Sequence, residues 1–251
     1  MHTLLFVLQG PMASAGDGSS KFNRRSTRSE PTKSSIVGIM CSAMGRRRED
    51  PIDDLATTRI GVRIDRCSEH PMRDYHTVAD VPTADGKSSP RMQTTERYYL
   101  TDVTFLVGVE ADDIELLRRI EEALDDPVWD PSIGRLCCIP GMPLTIPDGG
   151  IRADTTLLMA LSDQPAVEVP GDHRRPPASA EIVVELAPDA PVPQGASAVH
   201  RVSDLPPTNF ADRNFSNATR RVARITVDLP VEQEGGTRHV DLEDDAQPGE
   251  R

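Results

Sequence analysis

Arg73-Asp74-Tyr75-His76 places a guanidinium, a carboxylate, a phenol and an imidazole in consecutive positions. Arg can clamp a phosphate, Tyr can stack on a base, and His can donate to phosphate or act as a general base. Cleavage of RNA through its 2′-hydroxyl needs a base, an acid and a charge stabiliser but no metal. Tyr75 and His76 therefore admit an enzymatic reading. The competing reading is conformational: Asp74 pairs with Arg73, and the group fixes its own segment by hydrogen bonds. Other chemistries find no pattern. Gly16-Asp17-Gly18-Ser19-Ser20-Lys21 is glycine-rich but has the wrong spacing for a phosphate loop. Ser14 lacks the glycine two residues earlier that a nucleophile elbow needs. The six histidines are scattered, and the doublets Asp53-Asp54, Asp112-Asp113 and Asp125-Asp126 fall at expected helix ends, where capping accounts for them. No metal, cofactor or catalytic residue is assigned on this basis. Cys41, Cys67, Cys137 and Cys138 form no CxxC pair and fit free thiols in a reducing cytosol.

Charge is unevenly distributed. The chain of 251 residues carries −12, yet residues 21–48 hold eight Lys/Arg against the single acid Glu30. That window comprises Lys21, Arg24, Arg25, Arg28, Lys33, Arg46, Arg47 and Arg48, about +7 against −19 elsewhere. Cations gathered on one stretch suit a polyanion, because each phosphate contact releases counterions. Arg46–Arg48 also have a local explanation, since positive charge is favoured at a helix C-terminus.

The elements that must position these residues follow from periodicity. Thr3–Gln9 reads as a buried first strand and not as a signal peptide, since no basic segment or cleavage site accompanies it. No apolar run reaches membrane-spanning length, so no membrane partner is expected. A long loop from Gly10 to Lys33 leads to a helix opened by Pro31-Thr32-Lys33-Ser34-Ser35 and closed at Gly45. Pro51–Thr57 suits a short helix. Arg59–Asp65 alternates as a half-buried strand, and residues 66–94 look like a long hairpin or arm. Tyr98–Glu110 is a strong strand, Asp112 caps an amphipathic helix, and Gly134–Ile139 is expected to be another strand. The order βαββαβ points to an α+β fold of ferredoxin-like or RRM type, and many RRM modules present an open sheet face to RNA. Residues 1–150 would form this domain, with a thumb arm at about 67–97. Residues 151–230 would be an irregular β-rich extension in which Glu181–Leu186 and Val222–Leu229 are strands and Pro165–Ala180 and Ala187–Pro207 are connections. Residues 231–251 are acidic and are expected to be a disordered tail.

Five stretches together resemble the CasD family of the type I-E CRISPR Cascade complex, within the RRM-like RAMP superfamily. They are LLFVLQGPMASAG (4–16), RRSTRSEPTKSSIVGIMCSAMGRRREDP (24–51), MRDYHTV (72–78), ERYYLTDVTFLVGV (96–109) and PVWDPSIGRLCCIP (127–140). The resemblance covers about residues 1–145, and the RDYHT motif is its most specific part. The family pattern is departed from in three places. Ala15 stands where the glycine turn usually carries Trp. Gly134-Arg135-Leu136 keeps one arginine of a usual pair. No Lys lies close to Tyr75 and His76, Lys87 being the nearest.

The resemblance implies a non-catalytic, cytoplasmic RNA-binding subunit. It would bind and cap the 5′ handle of crRNA, join the CasC backbone filament to the large subunit CasA, and meet target DNA only through the complex. The implied RNA-binding residues are Gly16, Gly18, Lys21, Arg24, Arg25, Arg28, Lys33, Ser34, Ser35, Arg46, Arg73, Tyr75, His76, Arg97 and Arg135. Among them the glycine turn, the helix N-terminus at Ser34/Ser35 and the cations Arg24, Arg25, Arg28 and Lys33 would hold phosphates. The arm would kink the RNA, with Met72 and Met92 serving either as a wedge or as packing within the arm. Related members of another subtype cut the repeat with Tyr, Lys and His, so a metal-independent repeat endoribonuclease is the alternative. A third reading, independent of the resemblance, is a ferredoxin-like regulatory or assembly module whose basic segment meets an acidic surface or metabolite.

Overall fold

The computed structural model describes residues 1–16, 23–82, 85–86, 92–211 and 218–230. Gly18, Lys21 and the acidic segment 231–251 lie outside the described residues. In chain order the elements are β1 (His2–Ala13), β2 (Arg24–Arg25), α1 (Lys33–Ala43), α2 (Asp53–Ala56), β3 (Arg59–Arg66), β4 (Met72–Val78) and β5 (Gln93–Ala111). There follow α3 (Ile114–Asp125), β6 (Ile151–Arg152), α4 (Leu157–Asp163), β7 (Ser179–Leu186), β8 (Ala196–Val202) and β9 (Arg220–Asp228). The sheet order is β6-β1-β5-β3-β7-β9-β8, with β2 and β4 paired to the first half of β5. The four strands β6-β1-β5-β3 with α1 and α3 reproduce the ferredoxin-like order. Strands β7, β9 and β8 continue the same sheet outward from β3.

Alternation along β1 divides the interior in two. Leu4, Phe6 and Leu8 pack with Ile36, Val37 and Met40 of α1 and Leu117, Ile120 and Leu124 of α3. Leu5 and Val7 pack on the other face with Leu157, Ala160 and Leu161 of α4 and with Ile182, Val184, Ala223 and Ile225 of β7 and β9. Burial on both faces explains why β1 reads as a continuous apolar run. Gly61 and Gly108 face each other across β3 and β5. A Cβ there would fall 2.6 Å from Leu161 and 2.7 Å from Leu157, so the missing side chains let α4 lie flat on the sheet. The sheet face that many RRM modules leave open is thus covered here.

Helix α1 begins at the N-cap Thr32, whose hydroxyl accepts from Ser35 N at 3.2 Å. It ends in a Schellman arrangement: Gly45 takes φ 69°, Gly45 N donates to Ser42 O and Arg46 N to Cys41 O. Helix α3 is capped by Asp113, one residue later than expected from Asp112, and its carboxylate accepts from Glu115 N at 2.9 Å. The expected strand at Gly134–Ile139 is instead a tight loop. Cys138 N donates to Arg135 O and Ile133 N to Cys138 O, both at 2.8 Å. Gly134 has φ 99°, and a Cβ on it would lie 1.8 Å from Ser14 O, so this tight loop requires glycine there. The fourth ferredoxin strand is the two-residue β6. Strand β8 falls within the stretch read from sequence as a proline-rich connection, and α4 has no counterpart in the sequence reading.

A buried ionic cluster joins α1 to the outer strands. Lys33 Nζ donates to both Glu185 oxygens at 3.1 Å and to Thr58 O at 2.7 Å. Arg220 donates to Asp204 at 2.6 and 2.7 Å, and the Asp204 carboxylate also accepts from Lys33 N at 3.0 Å. Burial lowers the Lys33 pKa, with Glu185 opposing the shift. Burial pushes Asp204 upward, but Arg220 and the Lys33 amide outweigh it and leave the carboxyl below its ordinary 3.8.

Lys33→Met, which leaves Glu185 short of a buried partner, is expected to destabilise the fold by about 3 kcal/mol in urea unfolding. A depressed carboxyl pKa contributes stability that is complete above its unfolded value and lost as pH falls through the folded one. Wild-type thermal stability should therefore drop below about pH 4, and Asp204→Asn should start lower and show a shallower acid decline.

Candidate nucleic-acid interface

The arm is a ribbon built on the first half of β5. Strand β4 pairs antiparallel along one edge, from Met72 opposite Tyr99 to Val78 opposite Gln93. Strand β2 pairs parallel along the other, with Arg24 opposite Glu96 and Arg25 opposite Arg97. Nearly all of β4 is exposed, so its side chains are not there to fill a core. At the root, where the arm leaves the sheet, Asp102 takes φ 51°, and Arg174 donates to its two oxygens at 2.5 and 3.1 Å. The Arg174 hydrogen bond holds the Asp102 carboxyl below its usual range.

Side-chain alternation sorts the ribbon into two faces. On one, the Arg24 guanidinium lies 5.3 Å from the Tyr98 ring centre and that of Arg73 lies 5.2 Å from the Tyr75 ring. Glu96 stands between them, accepting from Arg73 at 2.6 Å and from the Tyr98 hydroxyl at 3.2 Å. On the other face are Arg25, Arg97, Asp74 and His76. His76 Nδ1 sits 3.1 Å from Asp74 and 3.5 Å from Arg97. The expected Arg73–Asp74 pair does not form, because neighbours in a strand point to opposite sides. Each finds its partner on its own face, Glu96 for Arg73 and His76 for Asp74. The same alternation separates Tyr75 from His76.

Arg135 ties this ribbon to the loop after α3. It donates to Tyr98 O at 2.9 Å and Arg25 O at 3.4 Å, and its guanidinium lies 4.6 Å from the centre of the Tyr99 ring. Its backbone N donates to Ser14 Oγ at 2.9 Å. A group anticipated as a phosphate contact is therefore committed to three neighbours within the protein. Burial pushes the Tyr99 hydroxyl upward in pKa, helped by its contact with Cys137 and opposed by Arg135.

Other anticipated contacts are also used internally. Lys33 is a buried charge in the cluster with Glu185 and cannot reach a surface ligand. The α1 N-terminus, read as a phosphate cradle at Ser34 and Ser35, already holds an anion: Asp204 accepts from Lys33 N through its carboxylate and from Ser34 N, at 3.0 Å, through its backbone carbonyl. Ser35 N and Oγ are both directed to Thr32. Arg46 holds Asp54 in a two-pronged pair at 2.5 and 2.6 Å and bonds Pro51 O, so it fastens α2 to the end of α1. Gly16 is exposed beyond β1. Arg28 is half-buried and close enough to Asp204 to lower its pKa. The structure thus gathers Arg24, Arg25, Arg73, Tyr75, His76 and Arg97 on the ribbon. It adds Glu96 and Tyr98, which the sequence reading passed over. Their signal was present: once the strand extends to Gln93, alternation puts residues 96 and 98 on one face. Met72 and Met92 are exposed, 42% and 70%.

Among the described residues, no group of three or more His, Cys, Asp or Glu side chains is placed to hold a metal ion, and no helix is long and apolar enough to cross a membrane. A ferredoxin-like sheet whose central strand runs on into a cationic, tyrosine-bearing arm places the chain in the RRM-like class. The family model described as CRISPR-associated protein (Cas_Cas5) matches residues 3–228, and the chain belongs to that family. It is similar to the CRISPR system Cascade subunit CasD of Escherichia coli (strain K12), with 30% identity over 157 residues, 57% of this chain and 68% of that protein. Among solved structures it resembles one described as a Cas protein, with TM-score 0.65, 30% identity, and coverage of 90% of this chain and 95% of that one. It also resembles a chain of a CRISPR RNA-guided surveillance complex, with TM-score 0.67, 26% identity and 91% of each chain covered.

Arg135→Ala should loosen the ribbon more than the fold. We expect a loss of about 1–2 kcal/mol in global stability and faster amide exchange in β2 and in β5 around Tyr98, with exchange in β1 unchanged. Uniform acceleration across the sheet would show that Arg135 supports the core instead.

Proposed function

We propose that this chain is a non-catalytic, cytoplasmic subunit of a Cascade-type CRISPR surveillance complex. It binds crRNA at the 5′ handle, caps a CasC filament and joins it to CasA, and so meets target DNA only through the assembled complex. The observation that carries the reading is the ribbon itself. Four arginines and two tyrosines stand on an exposed arm whose root is anchored by Arg135 and Asp102. Arginine forks suit phosphate, and tyrosine rings backed by a guanidinium keep their outer surface for a splayed base. Kinship with CasD supports the same reading.

The alternative, a metal-independent repeat endoribonuclease, has less support. Its two named groups, Tyr75 and His76, lie on opposite faces of β4 and do not converge on one phosphate. His76 is turned toward Asp74 and Arg97.

The test is binding of RNA with and without its 5′ handle across salt in EDTA, followed by a denaturing gel. We expect handle-dependent binding, intact RNA and a log–log salt slope near −2.8 for about four single-strand phosphate contacts. Arg25→Ala with Arg97→Ala should make the slope shallower by about 1.4. Arg47→Ala, exposed beyond α1, is the control that leaves it unchanged. Cleaved RNA would favour the endoribonuclease. No handle preference, alone or with CasC present, would overturn the proposal.

A further inference from the structure

The main sheet is finished differently at its two edges. Beside β1, Leu5 N donates to Gly150 O at 2.9 Å, Val7 N to Leu144 O at 2.7 Å and Gly141 N to Gln9 O at 2.8 Å, and β6 pairs with the start of the strand. That edge is closed. At the other side the sheet ends on β8, which pairs only with β9. Residues 197–201 of β8 are all exposed. In an antiparallel pair, alternate residues turn their N–H and C=O groups to the partner strand and the others turn theirs outward. Among the described residues, no strand or loop backbone meets the outward groups of residues 198–202. Single edge strands are commonly blunted by proline, lysine or a bulge. Strand β8 contains no proline and no lysine, and its one register shift falls at its start, between Ala196 and Ala198.

The edge also carries charge that the fold does not balance. Arg201 lies directly opposite Arg221, and like charges in that arrangement repel. Arg221 turns its guanidinium to the carbonyls of Ala187, Pro188 and Ala190. Arg201 is exposed and reaches Thr219 Oγ1 at 3.5 Å. Strand β8 adds His200 and no acid. Among the described residues, neither arginine has a carboxylate partner. Val199, 41% exposed, stands two residues before Arg201 and therefore on the same face.

We propose that β8 is a docking edge for one added strand, supplied by an extended acidic segment of a partner protein. The backbone of that segment continues the ladder, one of its carboxylates meets Arg201, and an apolar side chain beside it covers Val199. A second copy of the chain is the poorer occupant, because it brings its own His200 and Arg201 to the edge and both copies carry −12. RNA would meet the arginine but has no strand backbone to complete the ladder. The inference goes beyond the RNA-binding reading of the arm, since β9, β7 and β3 separate β8 from β5.

The test uses the full chain and a capped strand peptide matched to the seven residues of β8, with Thr at alternate positions and Val, Glu and Val between them. Companion peptides carry Lys in place of Glu, or N-methyl groups on the backbone. The Glu peptide should shift the amide resonances of residues 197–202 and slow their solvent exchange at least about threefold, leaving the arm unchanged. N-methylation should abolish the effect. The Lys peptide should bind about threefold more weakly, as expected for one exposed ion pair, and Arg201→Glu should reverse the preference. No change at β8 with any peptide, or an N-methylated peptide that works as well, would overturn strand addition. Equal binding of the Glu and Lys peptides would overturn the acidic partner. A chain that sediments as a dimer with β8 already protected would give the edge to a second copy, and protection by single-stranded RNA alone would give it to RNA; either result overturns the proposal.

Discussion

Lys33, Glu185, Arg220 and Asp204 leave water together, and most of the molecule's geometry follows from that joint. Lys33 is the first residue of α1, Glu185 and Arg220 sit on β7 and β9, and Asp204 lies between β8 and β9. Moving any of these charges out of water alone would cost several kcal/mol, so each is tolerable only while its partners are in place. The cluster therefore fixes where the helix must start relative to the outer strands. Neighbouring pairs extend it. Arg224 on β9 holds Glu30 at 2.8 and 2.9 Å, with Glu181 as its second partner. The loop that carries Arg24, Arg25 and Arg28 is thereby tied at its far end to strands nearly two hundred residues away.

A second buried arginine performs the same task on the other side of the sheet. Arg63, fully buried in β3, donates to Asp65 at 2.6 and 2.9 Å and to the carbonyls of Leu161, Gln164 and Pro165 at the end of α4. Carbonyls at a helix C-terminus lack intrahelical donors, and a guanidinium there satisfies several at once. With Gly61 and Gly108 making room, this brings α4 down onto the sheet and closes the face that an RNA-binding sheet would otherwise offer. Exposed arginines and tyrosines are left to the arm, the part of the chain with the least core to protect.

The arm depends on the length of β5. A strand of 19 residues is far longer than the core requires. Its second half is buried between β1 and β3, and its first half continues outward with β4 and β2 on its flanks. Rigidity therefore comes from the buried half, while the exposed half is free to carry arginines and tyrosines. Arg135 and the Arg174–Asp102 pair brace the junction between the two.

Periodicity and end signals made much of this legible. The apolar run of β1, the alternation of β3 and β5, the spacing in α3 and the glycine closing α1 are local properties, and each element formed close to where the chain announces it. The RDYHT segment likewise marked the arm, whereas Glu96 and Tyr98 joined it only once pairing with β4 and β2 drew the start of β5 outward. What stayed hidden was anything that depends on partners distant in sequence. Lys33 and Glu30 look like surface charges until β7 and β9 arrive beside them. The α1 N-terminus looks like an empty anion site until Asp204, 171 residues on, fills it. Gly134–Ile139 looks like a strand until Ser14, 121 residues back, takes the Arg135 amide and holds the segment as a loop. The sequence by itself determined the order of the main elements from β1 to α3 and the residue types on the arm, because those follow from local spacing. Which charges face solvent and which are spent inside was decided only by the tertiary structure, because a charge stays buried only where the fold supplies its counter-charge.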